Sequence, residues 1–256
     1  MQDIMKDKLN HILLFIPTYN EAGNISLLID KILKLKLNLD ILIIDDNSSD
    51  GTGKIADELS IQHSNIFVIH RQERGIGGAH LKGIKYAYEK KYNLLITMDA
   101  DFSHDPKDIP LFIEKSKHCE VIVGTRFKLN NSLKDWSLFR KIITYCGHFL
   151  TRTFLRLPYD SSGGFRLYCL KKIDKCYFDN ITSCYYEFFF ESLTLLHIQG
   201  FNIGEVPICL PKRTYGSSKM KFMHMFIGLY RLFKLSIVLL LFRKRFSSQD
   251  FLGDKK

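Results

Sequence analysis

Asp99, Ala100 and Asp101 follow an apolar run, "NLLITM" (93–98), and put two carboxylates one residue apart. In an extended segment residues i and i+2 point the same way, so both can address one ligand while the small Ala100 lets it approach. Two carboxylates so near raise each other's cost of ionisation unless a cation sits with them. Hard oxygen donors suit Mg²⁺ or Mn²⁺, and Mg²⁺ is commonly held by one or two carboxylates together with substrate phosphates. The expected chemistry is a divalent cation bridging to a phosphorylated ligand. The alternative is a pair of charges stranded at the end of a core strand.

Polar groups also follow the other apolar runs. "PTYNE" (17–21) comes after "ILLFI" (12–16), "DDNSSDGT" (45–52) closes "DILIID" (40–45), and Arg126 comes after "EVIVGT" (120–125). Asp45, Asp46 and Asp50 have a plainer use as caps of the next helix, which accounts for one or two of them but not for acids at three strand ends.

The elements that must position these groups are five runs, the fifth being "NIFVIH" (65–70), nearly continuous in apolar residues as strands buried on both faces are. Between them the chain has helical period: Ile25, Leu28, Ile29, Ile32 and Leu33 fall on one face, and 79–91 is a second helical stretch. Strand and helix in alternation predict an α/β fold, a Rossmann-like, mostly parallel sheet with right-handed crossovers and helices on both faces. Ligands of such sheets bind outside the carboxyl ends of the strands, where the carboxylates gather. The loop "RGIGGAHLKG" (74–83) offers a competing dinucleotide fingerprint. Its third glycine position is His80 and it follows the third strand rather than the first, so the glycines are read as a tight turn with close backbone approach.

The net charge of +10 implies an anionic partner, whether nucleic acid, phosphorylated ligand or membrane headgroups. Nucleic acid is the weakest, because the rim is acidic and the basic residues are interleaved with long aliphatic runs. The six cysteines show neither C-x-x-C nor zinc spacing, as in a reduced, cytosol-facing protein, and the run 12–16 is too short for a signal peptide. The stretch 222–242, "FMHMFIGLYRLFKLSIVLLLF", resembles a membrane span in length but is interrupted by Arg231 and Lys234. With a stripe of Lys221, His224, Gly228, Arg231 and Lys234, and "RKR" at 243–245, it reads as an interfacial amphipathic helix. A similar mixture occupies 138–156. Core-packing helices, or one tilted span at 222–242, are the alternatives.

Together, "PTYNE", "IIDDNSSDGT", "MDADFSHDP", "VGTRF", "GGFRLY" and "GEVPICLPKRTYGSSKM" resemble the dolichol-phosphate mannose synthases, inverting nucleotide-sugar glycosyltransferases of GT-A fold, over about residues 11 to 235. The resemblance implies a GDP-mannose donor, a divalent metal and a dolichyl (polyprenyl) phosphate acceptor. It places Pro17, Tyr19 and Glu21 around the nucleotide, Ile44 and Asp46 beside base and ribose, and Asp99, Ala100 and Asp101 at the metal and diphosphate, with both aspartates as metal ligands. Arg126, Arg213 and Lys219 would handle phosphates, and Asp101, Arg126, Arg213 and Lys219 would carry catalysis. It further implies a catalytic domain over 1–220 and a membrane-attaching tail over 221–256. The cytosolic face of the endoplasmic reticulum membrane, small anchoring subunits, and a product serving glycosylation and GPI-anchor synthesis follow from the same likeness.

Three departures from the family pattern stand out. Ser103 replaces a glutamine that relatives often supply to the metal. Q-M-E becomes Phe189-Phe190-Glu191. "GGFR" (163–166) replaces T-S-G-F-R or T-G-S-F-R and keeps Arg166, for which a structural ion pair is the plain reading. A phosphate monoester is already anionic at neutral pH, so such a site needs cations to place the acceptor rather than a tuned base. The loop "KRTYGSSK" (212–219) suits closure over a diphosphate. Glucosyl transfer from UDP-glucose, and an inactive membrane-recruiting homologue, are the competing functions.

Overall fold

Each of the five apolar runs is a strand in the computed structural model, which describes residues 11–130, 132–211 and 222–242. They are β1 (Ile12–Thr18), β2 (Asp40–Asp45), β3 (Ile66–His70), β4 (Leu94–Thr97) and β5 (Val121–Thr125). Helices α1 (Ile25–Leu33), α2 (Thr52–Gln62), α3 (Ile76–Glu89) and α4 (Ile109–Lys115) connect them in order. The chain continues through α5 (Leu138–Phe154), β6 (Arg166–Cys169), the short α6 (Cys176–Asp179), α7 (Glu187–Ile198), β7 (Ile203–Pro207) and α8 (Phe222–Phe242). Arg213 and Lys219, like Lys221 and the cluster 243–245, lie outside the described residues.

The sheet has seven strands in the order β3-β2-β1-β4-β6-β5-β7. It is parallel except for β6, which runs antiparallel to both β4 and β5. That strand and β7 go beyond the five expected. "RLYC" begins with arginine and spans four residues, and "IGEVP" carries a glutamate, so neither forms an apolar run. The reversal of β6 has a purpose at the site: it pairs Thr97 with Arg166, which lays the preceding glycines beside the end of β4.

Side-chain alternation divides the interior into two cores. Ile12, Leu14 and Ile16 of β1 face α1 and α4, where Leu28, Ile29 and Phe112 complete one core. Leu13 and Phe15 face α3 and α7, packing with Ala79, Ile84, Phe188 and Leu193. Both faces of the sheet are covered, which is why its strands read as continuous apolar runs. All six cysteines are free thiols.

His80, at the third glycine position of the rejected dinucleotide motif, belongs to the second of these interiors. It is buried among Phe15, Phe188 and Phe189, with ring centroids 5.1, 5.1 and 5.0 Å away, and neither ring nitrogen has a hydrogen-bond partner. Burial, reinforced by the charge of Arg166, lowers its pKa to about 3. Below 6.5, the unfolded value, the unfolded chain binds a proton that the folded chain refuses. The stability contributed here therefore falls as pH drops from 6.5 toward about 3. Urea unfolding at about pH 6.5 and about pH 4.5 should show His80→Leu losing less stability with acid than the wild type, by up to ~1.4 kcal/mol per pH unit. Parallel losses in the two proteins would contradict the buried neutral histidine.

Candidate active site

In the order β3-β2-β1-β4, the chain leaves β1 toward β2 on one side and β4 lies on the other, so a crevice opens between the carboxyl ends of β1 and β4. A cavity of about 360 Å³ occupies it. Pro17, Thr18, Tyr19 and Glu21 enter its wall from β1, Asp46 from β2, and Asp99, Ala100 and Asp101 from β4. Eight expected groups or near neighbours thus converge from three strands on one space, Thr18 being the addition.

The first two loops are tied to each other. Asp45 accepts from the Thr18 hydroxyl at 3.0 Å, from the Ser48 amide at 3.0 Å and from the Ser48 hydroxyl at 2.5 Å. The amides of Asn20 and Glu21 donate to Ser48 and Thr52 at 2.8 Å, and that of Ala22 donates to Asp50 at 3.0 Å. Burial works to raise the Asp50 carboxyl, but the hydrogen bonds from Thr52 and Ala22 outweigh it and its pKa falls below the ordinary value. Asp45 and Asp50 therefore serve the loops; the N-cap of α2 is Gly51 with no side-chain cap bond, so the expected helix-capping role is not what they do, while Asp46 turns to the cavity. Arg71 Nη1 holds Asp46 at 2.7 Å and the Gly75 amide donates to it at 3.0 Å. Burial nonetheless dominates and raises the Asp46 pKa.

At β4 the regular strand ends at Thr97 and the chain bends from Ala100 onward, through Phe102 at φ +61°. A bulky residue at positive φ is a strained choice, of the kind found where a site requires a particular backbone path. The two aspartates share the cavity by virtue of this bend, not of strand pleating. Asp101 is 5% exposed and accepts from the Ser103 amide at 3.0 Å. Asp99 lies more open, its side chain 35% exposed. A Cβ on Gly164 would stand 2.8 Å from Asp99 Oδ1, so only glycine leaves the carboxylate its place. Among the described residues no cluster of three His, Cys, Asp or Glu side chains forms a complete metal cage. Two carboxylates opening on a cavity fit a Mg²⁺ or Mn²⁺ ion completed by phosphate and water oxygens.

Two expected residues are placed elsewhere. Ile44 is fully buried in the core facing α3 and α7, because alternation along β2 turns it away from the rim. Arg126 is not on the cavity wall; its Nε and Nη2 bind Asp160 at 2.7 and 2.9 Å, and Nη2 also donates to Ser162 at 2.9 Å. Burial would raise Asp160, but Arg126 outweighs it and lowers the carboxyl pKa. Arg126 thus braces the segment that carries Ser162 and Gly164 to the wall. The structural ion pair assigned to Arg166 belongs to Arg126 instead. Arg166 is fully buried and donates to the carbonyls of Gly163, Ser161 and Phe189 at 2.9, 2.9 and 2.8 Å. No carboxylate lies within ion-pair distance of it among the described residues. Glu191 is hydrogen-bonded by the Ser183 hydroxyl, a role within the fold.

Several wall residues escaped the sequence reading. Arg74, after β3, lies with its guanidinium 4.6 Å from the Tyr19 ring. Tyr185, Tyr186 and Phe189 line the far side, and the first turn of α8 brings His224 onto it, stacked 5.1 Å from Tyr185. The segment bearing the two tyrosines rests on the start of α3, where the Gly78 amide donates to Cys184 O at 3.1 Å. A Cβ on Gly77 would come within 2.7 Å of that backbone, which is the close approach expected of the glycines.

Glycosyl transferase family 2 matches residues 14–178. An undecaprenyl-phosphate mannosyltransferase of Micrococcus luteus is 33% identical over 211 residues, covering 82% of this chain and 87% of that protein. A polyprenol monophosphomannose synthase of Mycolicibacterium smegmatis is 32% identical over 216 residues, 81% and 80% of the two chains. In fold, the chain is similar to glucosyl-3-phosphoglycerate synthase from Mycobacterium tuberculosis, solved with Mn²⁺, UDP and glucosyl-3-phosphoglycerate, with a TM-score of 0.58, 15% identity, and 93% and 81% of the two chains covered. The sheet is that of the GT-A glycosyltransferases, and the chain belongs to glycosyl transferase family 2, with the polyprenyl-phosphate mannose synthases that its motifs resemble.

Proposed function

We propose that the protein transfers mannose from GDP-mannose to a polyprenyl phosphate with inversion at the anomeric carbon. The observation that carries this reading is the convergence of Asp99 and Asp101 with Tyr19 and Asp46 on one cavity at the switch point of the sheet. A nucleoside diphosphate has matching parts: a base and ribose for the β1–β2 side, and a diphosphate for the aspartates. Asp99 and Asp101 would hold the divalent cation, which when bound supplies Lewis-acid stabilisation of the departing diphosphate. An acceptor phosphate oxygen forms the new bond to the anomeric carbon as the bond to the β-phosphate oxygen breaks, and no side-chain base is required. Arg213 and Lys219 are assigned to the phosphates on the motif alone. Both relatives are named for polyprenyl acceptors; dolichyl phosphate, the endoplasmic reticulum, GPI-anchor synthesis and anchoring subunits rest on the resemblance.

A lipid acceptor requires a membrane-facing surface, and α5 and α8 supply one. Leu138, Phe139, Ile142, Tyr145 and Phe149 of α5 are exposed, as are Met223, Phe226, Tyr230, Ile237, Leu240 and Leu241 of α8. The helices pack together, with Phe154 and Phe233 in edge contact at 5.1 Å. Only Thr151 of α5 is buried, which argues against a core-packing helix. Met223–Leu241 is long and apolar enough to cross a membrane by length and composition, at a mean hydropathy of 1.6. Arg231, one of its two interrupting charges, donates to Thr182 at 3.3 Å rather than projecting alone. We assign this face to lipid, continuous at His224 with the donor cavity.

Asp101→Asn keeps an acceptor for the Ser103 amide but loses the charge, and should lower transfer of radiolabelled mannose to polyprenyl phosphate by roughly a hundredfold or more at saturating Mn²⁺. Near-normal transfer would remove the metal assignment. In the same assay GDP-mannose should be consumed and UDP-glucose not; the reverse preference would establish the glucosyl alternative, and GDP binding without transfer from either donor would indicate an inactive homologue. In flotation with anionic vesicles, Phe139→Glu combined with Phe149→Glu should weaken binding about tenfold or more. Unchanged flotation would exclude α5 from the lipid contact.

A further inference from the structure

His104 is 2% exposed and takes no direct part in the transfer derived above, yet it touches Asp99. The bend after Ala100 turns the chain back so that His104 Nδ1 accepts the Asp99 backbone amide at 3.1 Å. A neutral imidazole whose Nδ1 accepts carries its proton on Nε2. That nitrogen lies 4.0 Å from Asp99 Oδ2, outside hydrogen-bond range. The other carboxylate oxygen, Oδ1, is bounded by Gly164, whose carbonyl is fixed by the Thr97 hydroxyl at 2.5 Å. The imidazole itself packs at 5.0 Å on Phe165, which stacks at 4.1 Å on Phe112 of the core. A rigid chain of contacts thus runs from the hydrophobic interior through His104 to Asp99, the more exposed of the two aspartates.

We propose that His104 is a positioning residue for Asp99. It fixes the backbone at the head of the bend, so that Asp99 meets a divalent cation already oriented. Groups behind a metal ligand characteristically act in this way, and losing one costs about 10–100-fold in metal affinity. The proposal rests on the reading of Asp99 and Asp101 as the cation and diphosphate hold. A histidine that merely fills space on Phe165 would be replaced by phenylalanine without effect on binding.

The test is binding of Mn²⁺ in the presence of GDP, followed by electron paramagnetic resonance of free Mn²⁺, on the full chain and without any transfer reaction. His104→Phe keeps the aromatic packing and removes both nitrogens; it should weaken Mn²⁺ binding about 10–100-fold while melting cooperatively. His104→Asn, which offers an acceptor near the Nδ1 position, should recover much of the loss. His104→Gln, with its acceptor nearer Nε2, should not. Wild-type affinity in His104→Phe would overturn the proposal while Asp101→Asn still abolished binding. If His104→Phe failed to fold, equal affinities of the Asn and Gln variants would overturn it, and tighter binding by Asn would support it. Undiminished binding in Asp101→Asn would instead overturn the reading of the site itself.

Discussion

The order of four strands governs everything the site contains. Because β1 lies between β2 and β4, the chain departs from β1 and β4 to opposite sides and cannot fill the space between their ends. Loops after three strands then have to turn sharply at that edge, and Asn20, Asn47 and Phe102 all adopt positive φ there. Asparagine accepts that conformation readily and phenylalanine does not. The strain is therefore concentrated in the loop that carries the two aspartates.

Electrostatics give the arrangement its direction. Asp45 and Asp50 have their charge absorbed by loop hydrogen bonds, and Asp46 is held by Arg71. The two basic groups nearest the glycine segment, Arg126 and Arg166, are consumed by Asp160 and by backbone carbonyls. Asp99 and Asp101 open on the cavity, where a divalent cation would relieve their mutual repulsion. Buried ion pairs such as Arg126–Asp160 contribute little net stability, so its value here is geometric: it holds Ser162 and Gly164 against the aspartates.

What could be read without coordinates followed from how local the signal was. The five principal strands and the helices α1 and α3 announce themselves by apolar runs and helical period, and the acidic rim follows from parallel topology. β6 and β7 were invisible because short, partly polar strands in a mixed sheet lack either pattern. The role exchange between Arg126 and Arg166 was equally invisible, since Arg126 finds Asp160 34 residues away and Arg166 finds the Phe189 carbonyl 23 residues away. Ile44 shows the limit of transferring a motif residue by residue: its side chain belongs to the core. Tyr185, Tyr186 and His224 reach the cavity because α7 packs on α3 and α8 packs on α7, which no periodicity announces. On α8, the apparent stripe of basic residues concealed two uses, a cavity wall at His224 and a fold contact at Arg231.

The central claim is that Asp99 and Asp101 jointly hold a divalent cation against a nucleoside diphosphate. Crystals grown with Mn²⁺ and GDP, measured for anomalous scattering of manganese, test it most directly. The account predicts a single strong peak within about 2.5 Å of oxygens from Asp101 and Asp99 and from the diphosphate. GDP bound in the cavity with manganese elsewhere, or with neither aspartate in contact with it, would contradict it.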